Sequence, residues 1–173
     1  MGLPLEAQGP AEEIKRLSDL SRDLAQQYSR SARETLCHLI RIPDLLGGVS
    51  LDREPHRYTR NFLFGDRNMS AWAIVWAPGA STSIHDHHCS CCFAVLHGSL
   101  GEIRFDAVGD GEVVKTAEAL RAPGYIACML PWGPNIHQMT NAGREEAISI
   151  HIYGFDHQRH AASVEREYRL VSA

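Results

Sequence analysis

Hydrophobic spacing changes character once along this chain, near residue 50. Before that point Ile14, Leu17, Leu20 and Leu24 recur at helical intervals among charged neighbours, which predicts an amphipathic helix from Ala11 to about Tyr28. Ser31 and Glu34 form the S-x-x-E pattern of a capping box, predicting a second helix through Leu36, Leu39 and Ile40 that stops at Pro43 and Gly47-Gly48. Both helices are expected to pack on the outside of a sheet, with Cys37 part of that packing, after a loose lead-in containing Gly2, Pro4, Gly9 and Pro10. Beyond Ser50–Pro55 the texture becomes short runs of aromatic and β-branched residues punctuated by glycine, the pattern of an antiparallel sandwich or barrel. Strands are expected near 56–64, 70–77, 82–87, 91–97, 100–106, 112–116, 124–129, 135–140 and 145–153. The segment 157–171, with Val164, Tyr168, Leu170 and Val171, fits a last strand or helix equally well.

Composition narrows the picture. A chain of 173 residues and 19.2 kDa without internal repeats fits one domain that buries roughly two-thirds of its unfolded surface. The expected organisation is a helical flank over 1–45 and a barrel over 56–154, within a single domain 1–173. A net charge of −4 provides no basic footprint for nucleic acid or an anionic membrane. No apolar run reaches about 18 residues and no leader precedes the helices, so the expectation is an untargeted chain. Five cysteines, an odd number, predict free thiols in a reducing compartment, the cytoplasm. Composition leaves a monomer or a small homo-oligomer open. Ten histidines are many for this length; His38, His56, His157 and His160 read as ordinary surface or loop residues.

The remaining histidines carry chemistry. His85 and His87 lie two apart, so on a strand both imidazoles project from one face and can bind one metal ion. A third ligand is expected from His137, which follows the turn signalled by Pro131 and Gly133. In the block 146–154, Ile148, Ile150 and Ile152 alternate with Ser149, His151 and Tyr153, so one face is apolar and the other carries three hydrogen-bonding groups in line. In a barrel the apolar face would pack against helices and the polar face would line a cavity, where a hydroxyl–imidazole–phenol series suits control of the Tyr153 proton. On the strand 56–64 the side chains of Tyr58, Arg60, Phe62 and Phe64 share a face, placing a guanidinium among aromatic rings. A fixed arginine fork in a cavity is a natural carboxylate clamp. Trp72, Trp76 and Trp132 read as barrel core or rim.

Spacing then points to a family. Gly79, five residues, His85-x-His87, three residues, Cys91, six residues and Gly98, followed by Gly124, Pro131-x-Gly133 and His137-x-x-x-Asn141, resembles the two motifs of the cupin superfamily, with Cys91 where many cupins carry a glutamate ligand. The fold implied is all-β, a double-stranded β-helix or jelly-roll barrel with an N-terminal α-helical flank. Tyr58-Thr-Arg60-Asn61, Ser83-Ile-His85-Asp-His87 with a cysteine soon after, His137, and Ser149-Ile-His151-Ile-Tyr153 further resemble the cysteine dioxygenase family of thiol dioxygenases, over about Arg57 to Gly154.

That resemblance implies His85, His87 and His137 as ligands of one Fe(II), Arg60 and Tyr58 as holders of a substrate carboxylate, and Ser149, His151 and Tyr153 as the neighbouring catalytic series. It implies a small thiol and O2 as reactants, L-cysteine to cysteine sulfinate first, and 3-mercaptopropionate or a related thiol acid as the alternative. Three neutral imidazoles leave the dipositive charge undiminished, which favours a thiolate, and leave positions open for it. Animal members carry a thioether between a cysteine and the tyrosine of the third block. Here counting back from Gly98 selects Cys91, and counting forward from His87 selects Cys92; strand register favours a Cys91–Tyr153 link. A different class of reading makes His85-Asp-His-His-Cys-Ser-Cys-Cys92 a zinc or copper site in a non-catalytic cupin, although Cys89-x-Cys91 is too tight for the paired hooks of structural zinc.

Overall fold

The computed structural model describes residues 8–133, 135–157, 159–160 and 162–172; Gly2 and Pro4 of the lead-in lie outside them. One unbroken helix, α1 (Gln8–Leu39), stands where two were expected. Ser31 is not a cap: it lies inside the helix, where its carbonyl accepts a hydrogen bond from Thr35 Oγ1 at 2.9 Å. No glycine or proline interrupts Tyr28–Ser31, so the helical ladder continues, and Pro10 falls in the first turn, where a missing N–H is harmless. The helix ends before Pro43 in tight turns, with Arg41 N donating to His38 O and Ile42 N to Leu39 O.

At 32 residues α1 is about 48 Å long and outruns the sheet it covers. Ala32 and Leu36 pack with Tyr28 and Leu39 on Cys92, Ala94, Ile150 and Ile152. Ile14 and Leu17, in contrast, are 70% and 67% exposed, with Leu20 and Leu24 also exposed. The expectation that this first apolar stripe packs on the sheet is therefore corrected: its position along the helix lies beyond the contact.

Among the described residues ten strands follow: β1 (Tyr58–Gly65), β2 (Ser70–Trp76), β3 (Ile84–His87), β4 (Cys91–His97), β5 (Leu100–Gly109), β6 (Glu112–Arg121), β7 (Ile126–Met129), β8 (His137–Thr140), β9 (Ala147–Tyr153) and β10 (Val164–Leu170). One sheet runs β1-β2-β9-β4-β7 and the other runs β10-β3-β8-β5-β6 and closes. This is the jelly-roll barrel with a helical flank that the cupin resemblance implies. The barrel continues past residue 154, because β10 pairs antiparallel with β3 and parallel with β6. Its mixed burial explains why periodicity alone left that segment open.

Alternation along the first sheet creates two apolar layers. Ile74, Trp76, Phe93, Val95, Leu100 and Met139 fill the space between the sheets, while Cys92, Ala94, Ile150 and Ile152 face α1. Gly98 turns the chain from β4 into β5 at φ 65°, and a Cβ there would sit 2.6 Å from Glu146 O, so both conformation and space demand glycine. The expectation of free thiols throughout is corrected at one pair. Cys92 and Cys128 lie directly opposite across β4 and β7 and form a disulfide, leaving Cys37, Cys89 and Cys91 free. Both bonded sulfurs rest against Ser29 O of α1 at 3.5 Å.

Candidate metal centre

β3 buries every second residue, so His85 and His87 enter the barrel while Asp86 stays outside, where it accepts from Arg166 N and Tyr168 Oη of β10 at 2.8 and 2.7 Å. β8 places His137 directly across from His85. The three imidazoles are all buried, and one nitrogen from each lies within 4.8 Å of the others. His85 Nδ1 faces Ser83 O at 2.9 Å and His87 Nδ1 faces Ser163 O at 3.3 Å. Carbonyls only accept, so both rings carry their proton on Nδ1 and turn an Nε2 lone pair inward. Burial holds His85 down to about 4 and His87 well below its ordinary value, which keeps both neutral at pH 7.

Two nitrogens, His87 Nε2 and His137 Nε2, approach to 3.2 Å. An N–H···N hydrogen bond or a shared cation holds two ring nitrogens at this distance, and it is also the separation that imidazoles take about 2.1 Å from a shared ion. The residues therefore fit a metal bound by His85, His87 and His137, as the spacing predicts. Asn135 steadies the arrangement by donating from Nδ2 to His87 O and Leu130 O at 3.3 and 3.1 Å.

His151 and Tyr153 line the same cavity, of about 400 Å³, and so do Tyr58, Arg60, Cys91 and Trp76, with Ser149 buried behind His151. Trp76 Nε1–H donates to Ser149 Oγ at 2.9 Å, a contact that the assignment of Trp76 to the core did not anticipate. The Ser149 hydroxyl, itself buried, sends its one proton to His151 Nε2 at 2.9 Å. His151 is then the Nδ1–H tautomer and donates to Tyr153 Oη at 3.3 Å. A donor-only indole thus gives the series one direction, and the Tyr153 proton is left to donate onward. Burial lowers His151 to about 3 and raises Tyr153 well above its ordinary value, so both stay neutral.

Arg60 reaches the cavity from β1 with its guanidinium carbon 6.0 Å from the Tyr58 ring centroid, and that ring packs 5.1 Å from Trp76. Among the described residues no ion pair engages Arg60. Phe62 and Phe64 do not flank it: a β-bulge falls between them, and both are about half exposed at 49% and 56%. Cys91 faces inward directly opposite Tyr153 across β4 and β9 and within hydrogen-bonding reach of its side chain; Cys92, one residue on, points to α1. His157 is not an ordinary loop residue, since Nδ1 meets Ser70 Oγ at 2.9 Å and the ring packs 5.0 Å from Tyr153.

Two participants escaped the sequence reading. Ser163, beside β10, closes over His87. Glu102 of β5 is fully buried, with Oε2 held by Arg121 at 2.7 Å and Oε1 by Arg104 at 3.2 Å. Burial would raise its carboxyl, but His137 and the two guanidinium groups outweigh that and bring it down to about 2. An acidic residue at an inward position after Leu100 was the available signal, because a buried carboxylate requires partners. For Trp76 it was the need of a buried indole N–H for an acceptor.

Residues 49–163 match the family model described as cysteine dioxygenase type I. The cysteine dioxygenases type 1 of Rattus norvegicus and Homo sapiens are 31% identical over 105 residues and 32% identical over 108. Each alignment takes in 58% of this chain and 52% of the relative, so the chain spans about half the length of the curated relatives it matches. Among solved structures, TT1209 from Thermus thermophilus superposes with a TM-score of 0.50 and 22% identity, over 66% of this chain and 96% of that one, a likeness of fold alone. A cupin superfamily protein from Desulfitobacterium hafniense gives 0.48 and 15%, over 61% and 84%. The matched stretch opens ahead of the strand that carries Arg60, takes in all three converging histidines and Tyr153, and closes at Ser163 over His87; on that match this chain belongs to the cysteine dioxygenase type I family.

Proposed function

We propose that this chain is an Fe(II)-dependent thiol dioxygenase that adds both atoms of O2 to the sulfur of a small thiol carboxylate, L-cysteine first, giving the sulfinate. The observation that carries the reading is the union, in one cavity, of three converging imidazoles, a guanidinium free of ion pairs among the described residues, and a phenol at the end of a one-directional hydrogen-bond series. The curated relatives' printed name, cysteine dioxygenase type 1, favours the same reaction and substrate.

Iron held by His85, His87 and His137 would supply a site that ionises the substrate thiol and brings its sulfur beside O2. Every other part belongs to the chain. Arg60 presents a planar fork to the substrate carboxylate and fixes where the sulfur lies, with Tyr58 shaping the approach. Tyr153, its oxygen already receiving the His151 proton donor, offers its own O–H to the negative charge that develops as oxygen adds to sulfur. Buried walls from Trp76, Met139 and Ile74 exclude water. In balance, thiolate plus O2 gives sulfinate: sulfur loses four electrons, O2 gains them, and oxidation stops at the sulfinate rung.

3-Mercaptopropionate is the second reading. It keeps the thiol and carboxylate that the cavity's metal site and Arg60 would engage but lacks the amine. Loading the protein with iron and following O2 uptake and sulfinate formation with L-cysteine, cysteamine and 3-mercaptopropionate tests both. Cysteamine, without a carboxylate, should be the poorest; equal turnover of all three would remove Arg60 from substrate binding. We also propose that Cys91 joins Tyr153 as a thioether, O2 taking the two hydrogens released, since the two residues face each other across β4 and β9. Intact-mass analysis of aerobically matured protein should find a species lighter by two hydrogens, absent in Cys91→Ser and present in Cys92→Ser.

A further inference from the structure

The three imidazoles are not equivalent in what stands behind them. His85 and His87 give their outer nitrogen to the neutral carbonyls of Ser83 and Ser163. Among the described residues His137 Nδ1 has no hydrogen-bond partner, although it is buried. The polar group that faces it is Glu102 Oε1, at 3.8 Å, a contact of charge that is still too long for a hydrogen bond.

We propose that Glu102 is the positioning residue of His137: its carboxylate, 3.8 Å from Nδ1 in this structure, receives the Nδ1–H of this ligand once the ring turns onto a metal, and stands one negative charge behind an otherwise neutral ligand set. This rests on the three-histidine metal reading above and deepens it. Three observations converge. The carboxylate is fixed before any ligand arrives, with Oε2 taken by Arg121 Nε at 2.8 Å and Oε1 by Arg104 at 3.2 Å. Those guanidinium groups come from β5 and β6, and Arg121 is itself seated on the Tyr125 ring at 4.3 Å, so the anchor is part of the sheet. β5 pairs with β8 in a register that sets Arg104 opposite His137 and Glu102 opposite Met139, which lays the carboxylate beside the imidazole.

The chemistry follows from that placement. A carboxylate can only accept, so His137 is held with Nδ1 protonated and its Nε2 lone pair turned to the cavity, matching the other two rings. The negative charge stands behind this imidazole alone of the three ligands. A metal-binding face of three neutral rings thereby regains carboxylate character at one remove, without giving up a position that substrate needs.

Zinc-loaded protein, which is diamagnetic, with 15N-labelled histidine provides the test. In wild type, three Nε2-ligated histidines should appear, one of them with a far-downfield Nδ1–H. Glu102→Gln should move that one resonance upfield and leave the His85 and His87 signals in place. Chelator competition should find zinc and Fe(II) binding weaker, about 10- to 100-fold for Glu102→Ala and less for Glu102→Gln. Glu102→Asp, which keeps the charge but draws it back, should fall between; if the alanine variant does not fold, the nearly isosteric glutamine variant carries the test. An unmoved His137 resonance in Glu102→Gln, or weaker binding in which all three histidines shift together, overturns the proposal. A wild-type protein in which the three histidines do not ligate zinc overturns the metal reading as well.

Discussion

Cys91 and Cys92 are neighbours of identical chemistry in opposite worlds. Cys91 faces the barrel interior beside Tyr153 and the three histidines; Cys92 faces α1 in a disulfide with Cys128. The same division runs along β9, where Ser149, His151 and Tyr153 look inward and Ile150 and Ile152 pack under the helix. A strand's period of two is enough to separate a reactive face from a structural one at a distance of one residue. The inner face should therefore govern chemistry and the outer face stability, and substitutions on each side should separate cleanly.

The largest effect belongs to the inner face. His137→Ala should abolish iron retention, measured by elemental analysis, and lower O2 uptake by about 10³-fold or more. Next, Tyr153→Phe should reduce kcat by roughly 10²-fold, the scale of a positioned proton donor, with iron content unchanged; Trp76→Phe should fall short of that and, by freeing the Ser149 hydroxyl, alter the pH profile more than KM. Arg60→Ala should act mainly on KM for a thiol carboxylate, while cysteamine is hardly affected; matching loss of iron would make Arg60 structural.

On the outer face, Ile150→Ala should cost about 2–5 kcal/mol of stability in denaturant unfolding, with turnover per folded, iron-loaded molecule intact. Reducing Cys92–Cys128, which closes a 36-residue separation, should cost about 3–4 kcal/mol on the chain-entropy account. A fall in turnover with either would break the division. Acid provides a sharper probe. Burial lowers His151 to about 3, against about 6.5 unfolded. The unfolded state therefore binds the extra proton between those values, and stability is lost as pH falls from 6.5 toward 3, at roughly 1.4 kcal/mol per pH unit from this group. His151→Gln should flatten that slope in thermal melts. The smallest effect is expected at Leu17, 67% exposed, where Leu17→Gln should change stability by less than about 0.5 kcal/mol.

How much of this could be read in advance follows the same logic. Alternation and spacing sufficed for the barrel, for the convergence of His85, His87 and His137, and for the two faces of β9, because period two and turn residues are local signals. The single helix was misread because S-x-x-E marks a cap only where the preceding residues stop being helical, and Tyr28–Ser31 do not. Position along α1, which decides that Leu36 is buried and Leu17 exposed, is a matter of where the sheet ends. The pairing of Cys92 with Cys128 depends on β4 lying beside β7, a non-local fact. Trp76 and Ser163 act through Ser149 and His87, and Glu102 through Arg121 and His137, partners distant in sequence; only Arg104, two residues along β5, lies in the same stretch as Glu102.

The central claim is that three imidazoles hold an iron beside a thiol-binding guanidinium. Anaerobically reconstituted Fe(II) protein, exposed to O2 with L-cysteine or 3-mercaptopropionate, tests it most directly when O2 consumed and sulfinate formed are measured together. The account predicts one sulfinate per O2, lost when iron is removed and restored when it returns. Oxygen uptake that is indifferent to iron, or no sulfinate from either thiol acid on fully loaded protein, would contradict it.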